Sequence, residues 1–241
     1  ASKQELQLVM GSEKPVSSET VVLGGDQYVK EVYANKEFYF DANGVLVMIN
    51  VTAPVCEDAL AKAVEAYAKA AEVDVKNTKT KDIKAGLKLI NSNYLDDAMN
   101  SYMFQDYAKA SDLFAKAAAT LATAPLSEVD TTALYNAGFT AWMLKDYPKA
   151  EKYFNQCVEA GYYYEGGEVF AKLADIYGNT DRKDAARDIL EKGFVEFPQS
   201  QSILIGLINY YLESKQSPDR LFELIGDAKK NEPTNASLYY V

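Results

Sequence analysis

The chain contains no histidine, only two cysteines, and no apolar run of the ~18 residues that a membrane helix needs. The first absence removes Ser-His-Asp and Cys-His nucleophilic sites together with HExxH zinc chemistry. The cysteines, Cys56 and Cys157, lie far apart and form no CxxC pair, so neither a disulfide framework nor a metal site is expected. With no imidazole to activate it, a cysteine here reads as a small buried apolar residue rather than a nucleophile. Basic residues are also in deficit: 25 Lys and Arg face 35 Asp and Glu, a net charge of −10. That balance argues against nucleic acid as the partner, because phosphate binding rests on Lys and Arg. The sequence opens on Ala1 with no basic-then-apolar leader, and the expectation is that any targeting segment has been removed or was never there.

What is present is globular. Hydrophobic residues make up 48% of the 241, and 18 Tyr and 10 Phe exceed what a disordered chain carries. Self-similarity is the strongest signal. The window Met103-Phe-Gln-Asp-Tyr-Ala-Lys-Ala-Ser111 matches Met143-Leu-Lys-Asp-Tyr-Pro-Lys-Ala-Glu151 at Met, Asp, Tyr, Lys and Ala. Each is followed by an aromatic (Phe114, Phe154) and then a small residue (Ala117, Cys157), the i, i+4, i+7 row of one helix face. A second amphipathic segment precedes each window, so each unit predicts a helix, a tight turn and a helix.

These residues resemble the tetratricopeptide repeat (TPR) family, whose unit is ~34 residues. Its pattern of large residues at positions 4, 7, 11 and 24, small ones at 8, 20 and 27, and proline at 32 recurs here. The unit from Thr131 supplies Leu134, Ala137, Gly138, Ala141, Ala150, Phe154 and Cys157, with Tyr162 in the proline place. The unit from Gly167 supplies Phe170, Leu173, Ala174, Tyr177, Ala186, Leu190, Gly193 and Pro198, and the next begins at Gln201. Asp106 and Asp146 stand where the second helix needs an N-cap, and Asp181 falls within one residue of that place. Pro218 suits a first helical position, with Asp219 at the positive helix end.

The resemblance implies an all-α fold, a right-handed α-α superhelix of stacked helical hairpins, as one domain over 1–241. Repeats are expected at 81–130, 131–166, 167–200 and 201–235. Upstream, 18–80 reads as a divergent repeat: a first helix over Ser18–Lys36 (Val21, Gly25, Tyr28) and a second over Glu57–Asp74 (Ala63, Tyr67, Ala70). Residues 1–17 read as the tail of an earlier repeat, with a helix over Ser2–Met10, and 236–241 as the start of a truncated one, with Tyr239 on position 4. The natural chain is therefore expected to extend beyond Val241. An insertion at 37–55 splits the first hairpin; Asn43-Gly44 between alternating apolar residues signals a hairpin turn, the alternative being an irregular flap.

In the family the inner wall, lined by the first helix of each unit, holds a peptide or partner helix. Carrying its contact positions over gives Met99, Tyr102 and Met103, then Tyr135, Phe139, Trp142 and Met143, then Lys172, Asp175 and Asn179, then Ile205 and Asn209, and Asn136 is added to these as a candidate. The central part is aromatic and Met-rich, suited to an apolar or amphipathic ligand; the other reading of such a stripe is plain core. A carboxylate clamp for a chain terminus is rejected. Asn136 alone matches, whereas Leu95, Met99 and Glu168 replace required polar or basic residues and Lys172 stands in for an arginine. The expected function is a non-enzymatic protein–protein interaction scaffold without a cofactor. The alternative is a glycan or small-ligand binder of an exported uptake system using the aromatic wall. The Tyr- and Ala-rich acidic composition resembles exported bacterial repeat proteins, which points to a periplasmic or exported location, the alternative being cytoplasmic.

Overall fold

A computed structural model describes residues 14–33, 36–51 and 58–231. The chain divides into two compact units, 1–130 and 131–241.

The first unit opens with an antiparallel sheet of β1 (Ser17–Leu23), β2 (Asp26–Tyr33), β3 (Lys36–Phe40) and β4 (Leu46–Val51), each strand beside its sequence neighbour. The helix expected over 18–36 is thus two strands. Gly24 and Gly25, with φ of +60° and +96°, form a two-residue hairpin loop whose twist suits the flanking strands. Alternation decides the rest. Tyr33, Phe38 and Phe40 are buried together with Val29 and Leu46 packed against them, while Tyr39 rests edge-on against Phe104 with ring centroids 5.1 Å apart. A period of two cannot place these side chains on one helix face. At 41–45 the expected hairpin forms: Asp41 Oδ1 accepts the N–H groups of Asn43 and Val45, and Gly44 takes a φ of +73°.

Three helices follow, α1 (Ala59–Val73), α2 (Thr80–Met103) and α3 (Tyr107–Ala122). α1 packs on α2, where Tyr67 lies against Gly86. Ile83, Leu87 and Leu126 form the core there, with Val64, Tyr67 and Ala70 packed against it. Asp97 is exposed on α2.

The second unit is helical throughout its described residues. It runs α4 (Thr131–Met143), α5 (Tyr147–Glu159), a single 3₁₀ turn at Glu165–Gly167, α6 (Glu168–Asn179), α7 (Lys183–Glu196), α8 (Gln201–Ser214) and α9 (Pro218–Asn231). Helices pair as α4/α5, α6/α7 and α8/α9, and successive pairs stack through α5 on α6 and α7 on α8. The first helices also meet in series, α4 with α6 and α6 with α8.

One turn recurs between paired helices. Gln105, Lys145 and Asp181 adopt left-handed backbone at φ of +60°, +59° and +57°. The next N–H then reaches back into the first helix: Asp106 to Ser101 O, Asp146 to Ala141 O and Arg182 to Tyr177 O, at 2.9, 3.0 and 2.9 Å. The expected caps form at Asp106 and Asp146, whose carboxylates accept the N–H of Lys109 and Lys149. Asp181 instead occupies the left-handed place, and α7 begins without a side-chain cap. Small residues permit the close approach. A Cβ on Gly138 would lie 3.0 Å from the Phe154 ring, and one on Gly193 would lie 2.8 Å from Phe170 Cβ. The expected helix at Ser2–Met10, the repeat start at 236–241, and Cys56 lie outside the described residues.

Candidate functional site: the first-helix wall

Two seams between successive first helices make up the wall of the second unit. In the α4/α6 seam, four rings stack in series. Tyr164, from the turn before α6, lies face to face with Tyr135 at 4.1 Å, Tyr135 follows onto Phe139 at 6.0 Å, and Phe139 onto Trp142 at 6.0 Å. Lys172 of α6 lies over this ladder, its Nζ 3.7 Å from the Trp142 ring centroid and 3.1 Å from a Glu168 carboxylate oxygen. Trp142 donates its indole N–H to Asp175 Oδ2 at 2.6 Å, and Asn179 donates its amide to Asp175 Oδ1 at 3.0 Å. Both carboxylate oxygens are therefore engaged.

The sequence-derived residues of this seam do converge: Tyr135, Phe139, Trp142, Lys172 and Asp175 form one contacting cluster. Tyr135 is buried and belongs to the core, packing also against Phe154. Trp142 and Phe139 are half-buried, Asn136 is half-buried, and Met143 is exposed at the helix end. Burial, with the Glu168 charge second, raises the Tyr135 hydroxyl well above its ordinary range. Tyr164 is not among the sequence-derived residues: the Tyr162-Tyr-Tyr164 run reads from sequence as a turn, and a turn does not announce what its ring will stack on.

The α6/α8 seam is open. It holds a cavity of about 510 Å³ whose lining includes Ala171, Asp175, Gly178, Asn179, Gly206 and Asn209, together with Lys183, Tyr210 and Glu213. Asp175, Asn179 and Asn209 are wall positions of the repeat pattern. The glycines that make the space are not legible in the sequence, because a glycine within a helix carries no signal of what it leaves empty.

In the first unit, Met99 and Met103 are exposed, one turn apart on α2, and Tyr102 is half-buried, edge-on to Tyr107 at 5.4 Å. Cys157 is fully buried on α5, and burial pushes its thiol up to about 12, against nucleophilic use at neutral pH.

No protein-family model matches the chain, and no curated protein sequence matches it. Among solved structures it is similar to YrrB, described as a TPR protein with an unusual peptide-binding site, at 16% identity and a TM-score of 0.48, covering 77% of this chain and 98% of that one. It is also similar to a MamA RS-1 double mutant (14%, TM-score 0.49, 74% and 99%). A third is BtubC from P. vanneervenii (15%, TM-score 0.49, 72% and 88%). The helical-hairpin repeat fold itself rests on this chain's own pairings, α2/α3, α4/α5, α6/α7 and α8/α9, the first three closed by the same turn.

Proposed function

We propose that the chain is a non-enzymatic interaction scaffold that engages a peptide or partner protein along the first-helix wall of its second unit. The observation that carries this reading is the open α6/α8 seam, where the Asn209 amide and the side-chain carbonyl of Asn179 offer hydrogen bonds beside exposed Asp175 and Glu213. Such amide side chains suit the main chain of an extended peptide. The absence of histidine from the sequence and the suppressed Cys157 thiol support the non-enzymatic part. Glycan binding gains no support from the aromatic ladder, because its rings are stacked on one another and Lys172 covers the Trp142 face.

Lysine-directed crosslinking of the full chain in its own cells, followed by mass spectrometry, tests this. Partner crosslinks at Lys183 on the cavity edge are expected. Crosslinks confined to Lys152 and Lys192 of the second helices would move the interface elsewhere.

A further inference from the structure

The two seams occupy equivalent repeat positions. In the 36-residue offset from Thr131 to Gly167, Tyr135 corresponds to Ala171, Phe139 to Asp175 and Trp142 to Gly178. In the 34-residue offset from Gly167 to Gln201, Glu168 corresponds to Ser202, Lys172 to Gly206 and Asp175 to Asn209. Every member of the α4/α6 cluster other than Asp175 is thus replaced by a smaller residue in the next seam, and the cavity stands where the ladder would be. A Cβ on Gly178 would meet nothing within 4 Å, so the space on that wall is unobstructed.

We propose that the α6/α8 cavity receives from a partner what the α4/α6 seam holds from its own chain: an aromatic side chain with a lysine or arginine beside it. The filled seam shows the chemistry such a gap accepts: stacked rings, a lysine over the last of them paired to Glu168, and Asp175 accepting the indole N–H. By the same offsets Ser202 and Asn209 stand for Glu168 and Asp175, so the acidic groups of the open seam come from other positions, Asp175 and Glu213, and Gly206 stands for the cation Lys172. Lys183, 3.9 Å from Glu213, sits at the edge with its side chain largely in solvent. Two carboxylates against one lysine in the lining favour a basic neighbour to the incoming ring. This occupant rests on the scaffold reading and specifies it.

The test is fluorescence anisotropy of the full chain with three fluorescein-labelled pentapeptides: Ala-Lys-Trp-Lys-Ala, Ala-Lys-Ala-Lys-Ala and Ala-Glu-Trp-Glu-Ala. The first is expected to bind at least ten-fold more tightly than the other two. Gly178→Phe, which fills the cavity from within, is expected to weaken that peptide at least ten-fold without lowering the melting temperature. Should that variant melt early, Ala171→Leu on the same helix face serves in its place. Equal binding of all three peptides, no saturable binding, or undiminished binding to a folded cavity-filled variant overturns the proposal. A partner crosslinked at Lys183 and retained by Gly178→Phe would remove this occupant while leaving the scaffold in place.

Discussion

The α4/α6 and α6/α8 seams agree at the back and differ at the front. Behind the first seam, Arg182 grips Glu151 with two hydrogen bonds, at 2.8 and 2.6 Å, while lying over Tyr177. Behind the second, Arg220 grips Glu191 at 3.2 and 2.7 Å while lying over Phe194. Both are two-point guanidinium–carboxylate contacts seated on an aromatic face, each tying one hairpin to the next. The fronts share no such device: one is packed with rings and the other is hollow. Stacking is therefore maintained on the second-helix side, which leaves the first helices free to be filled or left open without separating the hairpins.

The sharpest way to break this contrast is to delete the ring at one repeat position and its counterpart at the next. Tyr135→Ala, which leaves a hole among Phe139, Phe154 and Tyr164, is expected to cost ~3–5 kcal/mol in urea denaturation. Ala171→Gly at the equivalent place is expected to cost only ~0.5–1 kcal/mol, the helix penalty of glycine alone. Comparable losses at the two positions would mean that the seams are packed alike. Next in size is Gly193→Ala at the tight junction of α6, α7 and α8. Its Cβ would stand 2.8 Å from Phe170 Cβ and 2.9 Å from Ile203 Cδ1, so a cost of ~1–3 kcal/mol is expected, read as a lowered melting temperature.

Acid should act on both backs together. The paired Arg182, against a smaller opposing effect of burial, holds Glu151 below its ordinary 4.5. Burial pushes Glu191 up, but the bonds from Arg220 and Tyr211 outweigh it and the net shift is also downward. A carboxyl depressed in the fold contributes stability that is full above its unfolded value and is lost as pH falls through the folded one. Stability is therefore expected to decline from about pH 4.5 downward, and Glu151→Gln or Glu191→Gln should flatten that decline in thermal melts taken between pH 3 and 6. An unchanged slope in both variants would show that these clamps contribute nothing. Each clamp is partly exposed, so solvent screening keeps the effect below that of Gly193→Ala.

Legibility in the sequence followed the same division. The hairpins could be read because several local rules coincide within each: Asp106 and Asp146 as caps, Pro218 as a first helical residue, small residues at Gly138 and Gly193 facing large ones. The sheet could not, because Val21, Gly25 and Tyr28 also satisfy the helical repeat spacing. There the Gly24-Gly25 loop and the alternation through Tyr33 were the stronger signal. At the wall, residue type located the aromatic cluster but not its state. A stripe of Tyr135, Phe139 and Trp142 reads equally as groove or core, and the choice is made by Tyr164 and Lys172, which come from elsewhere in the chain to cover it. The cavity was illegible for the opposite reason, since it consists of side chains that are missing.

The smallest expected effect is the most direct on the hollow front. Gly178 lies within α6 and carries no positive φ, so alanine there fits the backbone it already has. Nothing stands within 4 Å of the added methyl, which removes any steric cost. What is left is the loss of conformational freedom in the unfolded chain, and Gly178→Ala should raise stability by ~0.4–1 kcal/mol in the same urea titrations. A single methyl is too small to fill about 510 Å³, so the variant should still bind the aromatic–basic peptide. Stabilisation together with retained binding would show that Gly178 is held for the space beyond it rather than for its backbone. A destabilised Gly178→Ala would mean that the α6/α8 seam closes in solution and that the two fronts are not as different as they stand.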